Sequence, residues 1–173
     1  MQIDFTNLNY LKNGNPKQKR VYQILNQYQI FEKLNSYHPI LVGTIPIQID
    51  TENSDLDIIC EFQNEIIFKE IIEKLFGNLN NFKIKESNKF FEKAIISNFE
   101  LENFQFEIFG QKIPTNKQYG YLHMLTEARI LEEKGEEFRL KIIDLKKKGF
   151  KTEPAFAKLL NIKGDPFQEL LKY

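Results

Sequence analysis

Tryptophan is absent from this chain, cysteine occurs once, and no net charge remains once 24 basic and 24 acidic residues cancel. The single Cys60 excludes an intrachain disulfide. In the apolar run Ile58-Ile59-Cys60 it reads as a small buried hydrophobe rather than a reactive thiol. One cysteine also suits a reducing compartment. The neutral sum argues against a protein that binds nucleic acid over its whole surface and leaves room for a local basic patch. No segment approaches the ~20 apolar residues of a membrane span. Met1-Gln2-Ile3-Asp4-Phe5 has neither the basic start nor the apolar run of a signal peptide. Together these absences predict a cytoplasmic protein. The two histidines, His38 and His123, have no Cys or His neighbour at metal spacing, which argues against zinc.

What is present suits a packed domain. The chain has 173 residues, of which 42% are apolar, and 16 Phe with 7 Tyr can build a core without Trp. At this length roughly two-thirds of the unfolded chain's surface can be buried, so folding needs no metal or disulfide. Pro16 opens a helix whose apolar face, Val21, Ile24, Leu25, Tyr28, Phe31 and Leu34, runs on to the stop at Ser36-Tyr37-His38-Pro39. Ile40-Leu41-Val42 reads as a short buried strand and Leu56 to Phe62 as a second. Asn64 caps a helix with apolar positions Ile67, Phe68, Ile71, Ile72 and Leu75, closed by Gly77. Three β-rich segments follow, Phe82 to Glu86, Phe91 to Phe99 and Phe104 to Phe109, the last two joined by a hairpin connection over Asn98 to Asn103.

The remainder is helical: Gln118 to Lys134, Glu136 to Lys148, and short helices from Pro154 to Leu160 and Pro166 to Leu171. This order predicts an α+β fold, a mixed sheet with flanking helices and a C-terminal helical tail. It divides into a core with an N-terminal helix over 1–114 and a helical region packed on it over 115–173. The strands beginning at Leu41 and Leu56 should be neighbours, with the Phe104 strand beside the latter.

The chemistry concentrates between Leu41 and Ile59. An apolar run delivers Gly43-Thr44, where glycine lets backbone approach a ligand and a hydroxyl can donate to phosphate. Asp55-Leu56-Asp57 then opens an apolar strand, and residues two apart in a strand share a side. Asp55 and Asp57 therefore project together while Leu56 and Ile58 enter the core. Two such carboxylates repel unless a cation lies between them, and Mg²⁺ is the natural one because it takes carboxylates together with substrate phosphates.

This pattern resembles the signature of the DNA polymerase beta-like nucleotidyltransferase superfamily. The resemblance implies that Asp55 and Asp57 hold Mg²⁺ or Mn²⁺ and that a third acid comes from a later strand. Glu107 is that third acid: in Phe104 to Phe109 the alternation buries Phe104, Phe106 and Ile108 and leaves Glu107 on the other face with Gln105 and Phe109. It further implies that Gly43, Thr44 and Ser54 contact a nucleoside triphosphate, with a small molecule, a protein or an RNA end as acceptor. An inactive regulatory or partner-binding member of the fold is the alternative. Thr44 stands where serine or glycine is usual, and Glu107 where aspartate is usual.

The motifs Glu107-Ile108-Phe109-Gly110-Gln111, His123-Met124 with Glu127 and Arg129, and Gly149 with Lys151-Thr152-Glu153-Pro154 narrow the resemblance. They are similar to those of a chiefly bacterial domain-of-unknown-function family placed in the same fold.

Other features admit plainer readings. Asp50-x-Glu52-x-Ser54 lacks the glycine and the following helix of a calcium loop. His123 and Glu127, four apart, form an intrahelical polar pair, or His123 or Arg129 reaches substrate phosphate from the tail. Lys146-Lys147-Lys148 suits a helix C-terminus, with phosphate or RNA contact as the second reading.

Overall fold

The computed structural model describes residues 3–89 and 92–173. Met1, Gln2 and Phe91, which entered the readings above, lie outside the described residues. The chain runs through helices α1 (Asn9–Lys12), α2 (Pro16–Gln27) and α3 (Ile30–Lys33), then strands β1 (Ile40–Val42) and β2 (Leu56–Glu61). Helix α4 (Glu65–Phe76) leads to strands β3 (Asn80–Ser87), β4 (Ala94–Leu101) and β5 (Phe104–Gln111). Helices α5 (Tyr119–Lys147), α6 (Thr152–Leu160) and α7 (Pro166–Leu170) follow.

The five strands form one mixed sheet in the order β1-β2-β5-β4-β3. β1 pairs antiparallel with β2, and β2 pairs parallel with β5. The expected neighbours are therefore neighbours. β5 and β4 form a hairpin whose two turn residues, Glu102 and Asn103, both have positive φ, as a two-residue hairpin loop favours.

Period-two burial sorts the side chains onto two faces. Leu56, Ile58, Cys60, Phe106 and Ile108 enter one core with α2, α3 and α4, in which Phe76, Phe99 and Phe106 stack at centroid separations of 5.0 Å. On the opposite face Val42, Ile59 and Phe109 pack against apolar residues of α5, α6 and α7. Phe109, which breaks the simple in–out alternation of β5, thus has an apolar environment beneath the C-terminal helices. The C-terminal helices cover this face around Ile59 and Phe109 and leave Asp57 and Glu107 facing a cavity.

Three local readings differ from the structure. The helix begun at Pro16 does not run to Ser36. It stops at Gln27, Gln29 takes a left-handed conformation at φ 54°, and a separate short helix follows. In α4 the buried residues are Phe68, Ile72 and Phe76, whereas Ile67 is exposed. The sheet runs past the predicted ends of its last three strands, to Ser87, Leu101 and Gln111. α5 contains the break read at Gly135, which sits at φ 76°, ψ −172° inside it.

Gln18 ties α2 to the segment that follows β1. Its side chain completes a capping box with Asn15 and donates through Nε2 to the carbonyls of Ile45 and Pro46, at 2.9 and 3.0 Å. Gln18 is fully buried, so Gln18→Ala would leave the buried Pro46 carbonyl unpaired and the Ile45 carbonyl with the Gln48 amide alone. We expect it to cost about 2–4 kcal/mol in denaturant unfolding. A loss below about 0.5 kcal/mol would mean water replaces both bonds.

Candidate active site

β1 ends at Val42 opposite Asp57, so the chain turns at Gly43 directly over the Asp57 carboxylate. Gly43 has φ +84°, and a Cβ there would lie 2.4 Å from Asp57 Oδ2. Only glycine permits both the conformation and the approach. Thr44 follows, and its Oγ1 donates to Ser54 Oγ at 3.3 Å, while Ser54 Oγ accepts from the Thr51 amide at 2.8 Å. Ser54 is thus a brace behind Thr44 and does not line the adjoining cavity.

The intervening loop is held from two sides. Lys17 of α2 pairs with Asp50 at 3.0 Å and donates to the Thr51 carbonyl at 2.7 Å. Arg139 of α5 donates to the Ile47 carbonyl at 2.5 Å. Buried Ile45, Ile47 and Ile49 pin the loop from below.

The parallel register sets Asp57 directly beside Glu107. Paired residues of adjacent strands project to the same side, so the two carboxylates share a face. Asp55, exposed and one residue before β2, adds a third. Burial, with the negative charges of Glu107 and then Asp55, pushes the Asp57 carboxyl up to about 7, and Lys146 opposes the shift. Asp55 is also raised, by burial. On β4, Asn98 stands opposite Glu107 and donates to its Oε2 at 3.2 Å. That brace has no mark in the sequence, because only the sheet register pairs the two residues.

Asp57 and Glu107, but not Asp55, open onto a cavity of about 830 Å³ between the sheet and the helical tail. Gly43, Thr44, Asp57 and Glu107 line one side; Lys117, Tyr119, His123, Glu127 and Glu153 line the other. Lys146 is half-buried, and burial lowers its pKa while Glu127, Asp50, Glu153 and Asp57 favour its charge. Lys146 therefore sits in the field of the acids, whereas Lys147 and Lys148 are exposed, as a helix C-terminus suggests. Arg129 pairs with Glu133 at 3.0 Å and lines a different depression, away from the acids. His38 is an exposed loop residue with Nδ1 3.7 Å from Glu61.

Asp57 and Glu107, paired and facing the cavity, fit a divalent cation, whereas with Asp55 they do not form a cluster of three converging donors among the described residues. Burial first, then repulsion by Glu107 and Asp55, disfavours the charge of Asp57, and the one lysine in their field only partly offsets this. A bound cation reverses that repulsion.

Solved structures place this architecture in a class. The chain is similar to the Cid1 poly(U) polymerase with bound MgGTP, at TM-score 0.53 and 16% identity over 75% of this chain and 41% of that one. It is similar to a chain of the GLD-2/RNP-8 complex, at TM-score 0.54 and 11% identity over 88% and 60%. The polymerase core of TRAMP, an RNA surveillance complex, matches at TM-score 0.51 and 11% identity over 91% and 49%. These proteins are DNA polymerase beta-like nucleotidyltransferases, and at such identities the likeness is one of fold. This chain has the nucleotidyltransferase fold and spans from 41% to 60% of the length of those three chains. More narrowly, residues 23–173 match the domain-of-unknown-function family DUF4269, and the chain belongs to that family. No curated protein matches it in sequence. Among the described residues, no helix is long and apolar enough to cross a membrane.

Proposed function

We propose that this protein transfers a nucleotidyl group from a nucleoside triphosphate to an acceptor hydroxyl, using Mg²⁺ held by Asp55, Asp57 and Glu107. The observation that carries this reading is the Asp57–Glu107 register pair beneath Gly43, at the mouth of a cavity large enough for a nucleotide. The MgGTP bound by the Cid1 polymerase supports the choice of donor and ion.

In this reading the ion supplies charge neutralisation at the triphosphate. Gly43 and Thr44 cradle the β- and γ-phosphates, with Ser54 fixing the Thr44 hydroxyl. Lys117 adds positive charge on the facing wall, and Lys146, outside the cavity lining, adds to the field at the acids. The acceptor oxygen bonds to the α-phosphorus, the bond from that phosphorus to the pyrophosphate oxygen breaks, and Glu107 takes the acceptor's proton. Asn98 holds the Glu107 carboxylate in place for that transfer. We propose further that residues 1–114 form the catalytic core and 115–173 the far wall of the cavity.

The test uses the full chain with Mg²⁺ and each α-labelled nucleoside triphosphate, against small-molecule, protein and RNA acceptors. Label transfer with pyrophosphate release is expected, reduced at least about 100-fold in Glu107→Gln. Transfer unchanged in that variant would remove Glu107 from the reaction. Nucleotide binding without transfer to any acceptor would leave a regulatory member of the fold.

A further inference from the structure

His123 and Glu127 lie on the inward face of α5, and Glu153 reaches them from the first turn of α6. One ring nitrogen of His123 and one carboxylate oxygen from each glutamate lie within 4.8 Å of one another. His123 is 8% exposed and its Nδ1 has no hydrogen-bond partner. Glu127 is 4% exposed and makes no hydrogen bond or ion pair among the described residues.

Glu153 has a local explanation, since a helix N-terminus favours negative charge. Glu127 and the His123 ring have none. The His123 ring packs against Tyr119 and Phe167, but its buried Nδ1 and the Glu127 carboxylate lack hydrogen-bond partners, which is costly unless a ligand joins them. Lys146 does not supply that ligand: it acts on Glu127 through space, and its Nζ hydrogen-bonds Thr152 Oγ1 at 3.3 Å instead.

We infer that His123, Glu127 and Glu153 form a second cation site, apart from the three-acid centre, for a divalent transition metal of the Zn²⁺ type. The donor set decides the class. Mg²⁺ and Ca²⁺ take oxygen donors, whereas one imidazole with carboxylates suits Zn²⁺. Metal–ligand bonds of about 2.0–2.2 Å require the three donors to close by roughly 1 Å, within reach of glutamate side-chain rotation. Two carboxylates balance the ion's charge, and burial keeps the imidazole neutral, the form that ligates. Sequence spacing does not reveal this arrangement, because two of its donors are carboxylates and one comes from another helix. The inference stands without the nucleotidyl-transfer reading, since the three residues lie on the facing wall of the cavity.

The experiment titrates the metal-stripped full chain with ZnCl₂ alone, by calorimetry and against a chelating dye, with folding followed by circular dichroism. The first equivalent should bind more tightly than any second one at the three acids, and at one equivalent X-ray absorption should show nitrogen and oxygen donors with a single imidazole and no sulfur. His123→Asn and Glu127→Gln should weaken binding beyond the roughly 10–100-fold that outer-shell changes cost. Asp57→Asn should leave it unchanged. Should Glu127→Gln fail to fold, Glu153→Gln, at a half-buried helix start, takes its place. Absence of Zn²⁺ binding by the folded wild-type chain overturns the site and makes Glu127 a protonated core residue. Binding lost in Asp57→Asn but kept in His123→Asn also overturns it, and assigns the ion to the three-acid centre. Failure of Mg²⁺-nucleotide binding with Zn²⁺ binding intact counts against nucleotidyl transfer alone.

Discussion

Asp55→Asn combined with Asp57→Asn should abolish Mg²⁺-dependent nucleotide binding and, with a chelator present, make the protein more stable than the wild type at pH 8. Both effects have one cause. Asp57 titrates near 7 in the folded chain because burial, Glu107 and Asp55 all disfavour its charge, against an ordinary value of 3.8. A carboxyl raised on folding contributes stability that is fully present below its unfolded pKa and is lost as pH rises through the folded one. The metal-free wild type should therefore lose about 2–4 kcal/mol between pH 4 and pH 8 from this group. The asparagine pair keeps it, which for a chain of this size is roughly 5–15 °C in melting temperature. Saturating Mg²⁺ should close much of that gap in the wild type by binding the native state and do nothing for the variant. Thermal melts at the two pH values, with chelator and then with Mg²⁺, check the prediction. Identical melting of the two proteins at pH 8 under chelation would mean that the acids do not crowd one another.

The second large effect belongs to Gly43. An alanine Cβ there would lie 2.4 Å from Asp57 Oδ2, so the carboxylate must rotate away from the position that its neighbours on β5 and β1 define. Backbone at φ +84° costs a further 1–3 kcal/mol or so for a residue with a Cβ. Displacing a reacting-centre carboxylate by about 1 Å is enough to lower transfer roughly 100-fold. Gly43→Ala should thus lose most of its transfer rate and remain folded, because the fold keeps its stacked aromatic core on the far side of the sheet. Rate measurements beside a melting curve separate the two. A variant with wild-type transfer would show that Asp57 need not sit under Gly43.

The common facing of Asp57 and Glu107 was legible because a strand writes its facing into the sequence with a period of two, whereas Asp55, one residue before β2, is exposed and does not line the cavity. A carboxylate between apolar neighbours announces which side it occupies. The register that sets Asp57 beside Glu107 is a longer-range matter, yet the apolar sets of β2 and β5 already require both acids on one face. Asn98 was hidden for the opposite reason, since its role depends on lying across from Glu107 in the hairpin. The break at Gln29 was also hidden: no glycine or proline marks it, and the apolar spacing continues through it. Ile67 read as a core position beside Phe68 and Ile72, but α4 turns Phe68, Ile72 and Phe76 inward and leaves Ile67 exposed. Lys146 and Glu153 could not be placed from the sequence, because what directs them at the acids is how α5 and α6 dock over the sheet.

The break at Gly135 has a consequence for how the far wall of the cavity can change. In an unbroken helix each residue added or removed rotates everything beyond it by about 100°, so side chains many turns apart are locked in phase. Gly135 resets that phase. The angular setting of His123 and Glu127 is fixed by packing before the break, and that of Arg139 and Lys146 by packing after it. The two halves can be retuned independently: one reshapes the acidic pocket, while the other keeps its grip on the loop that carries Thr44.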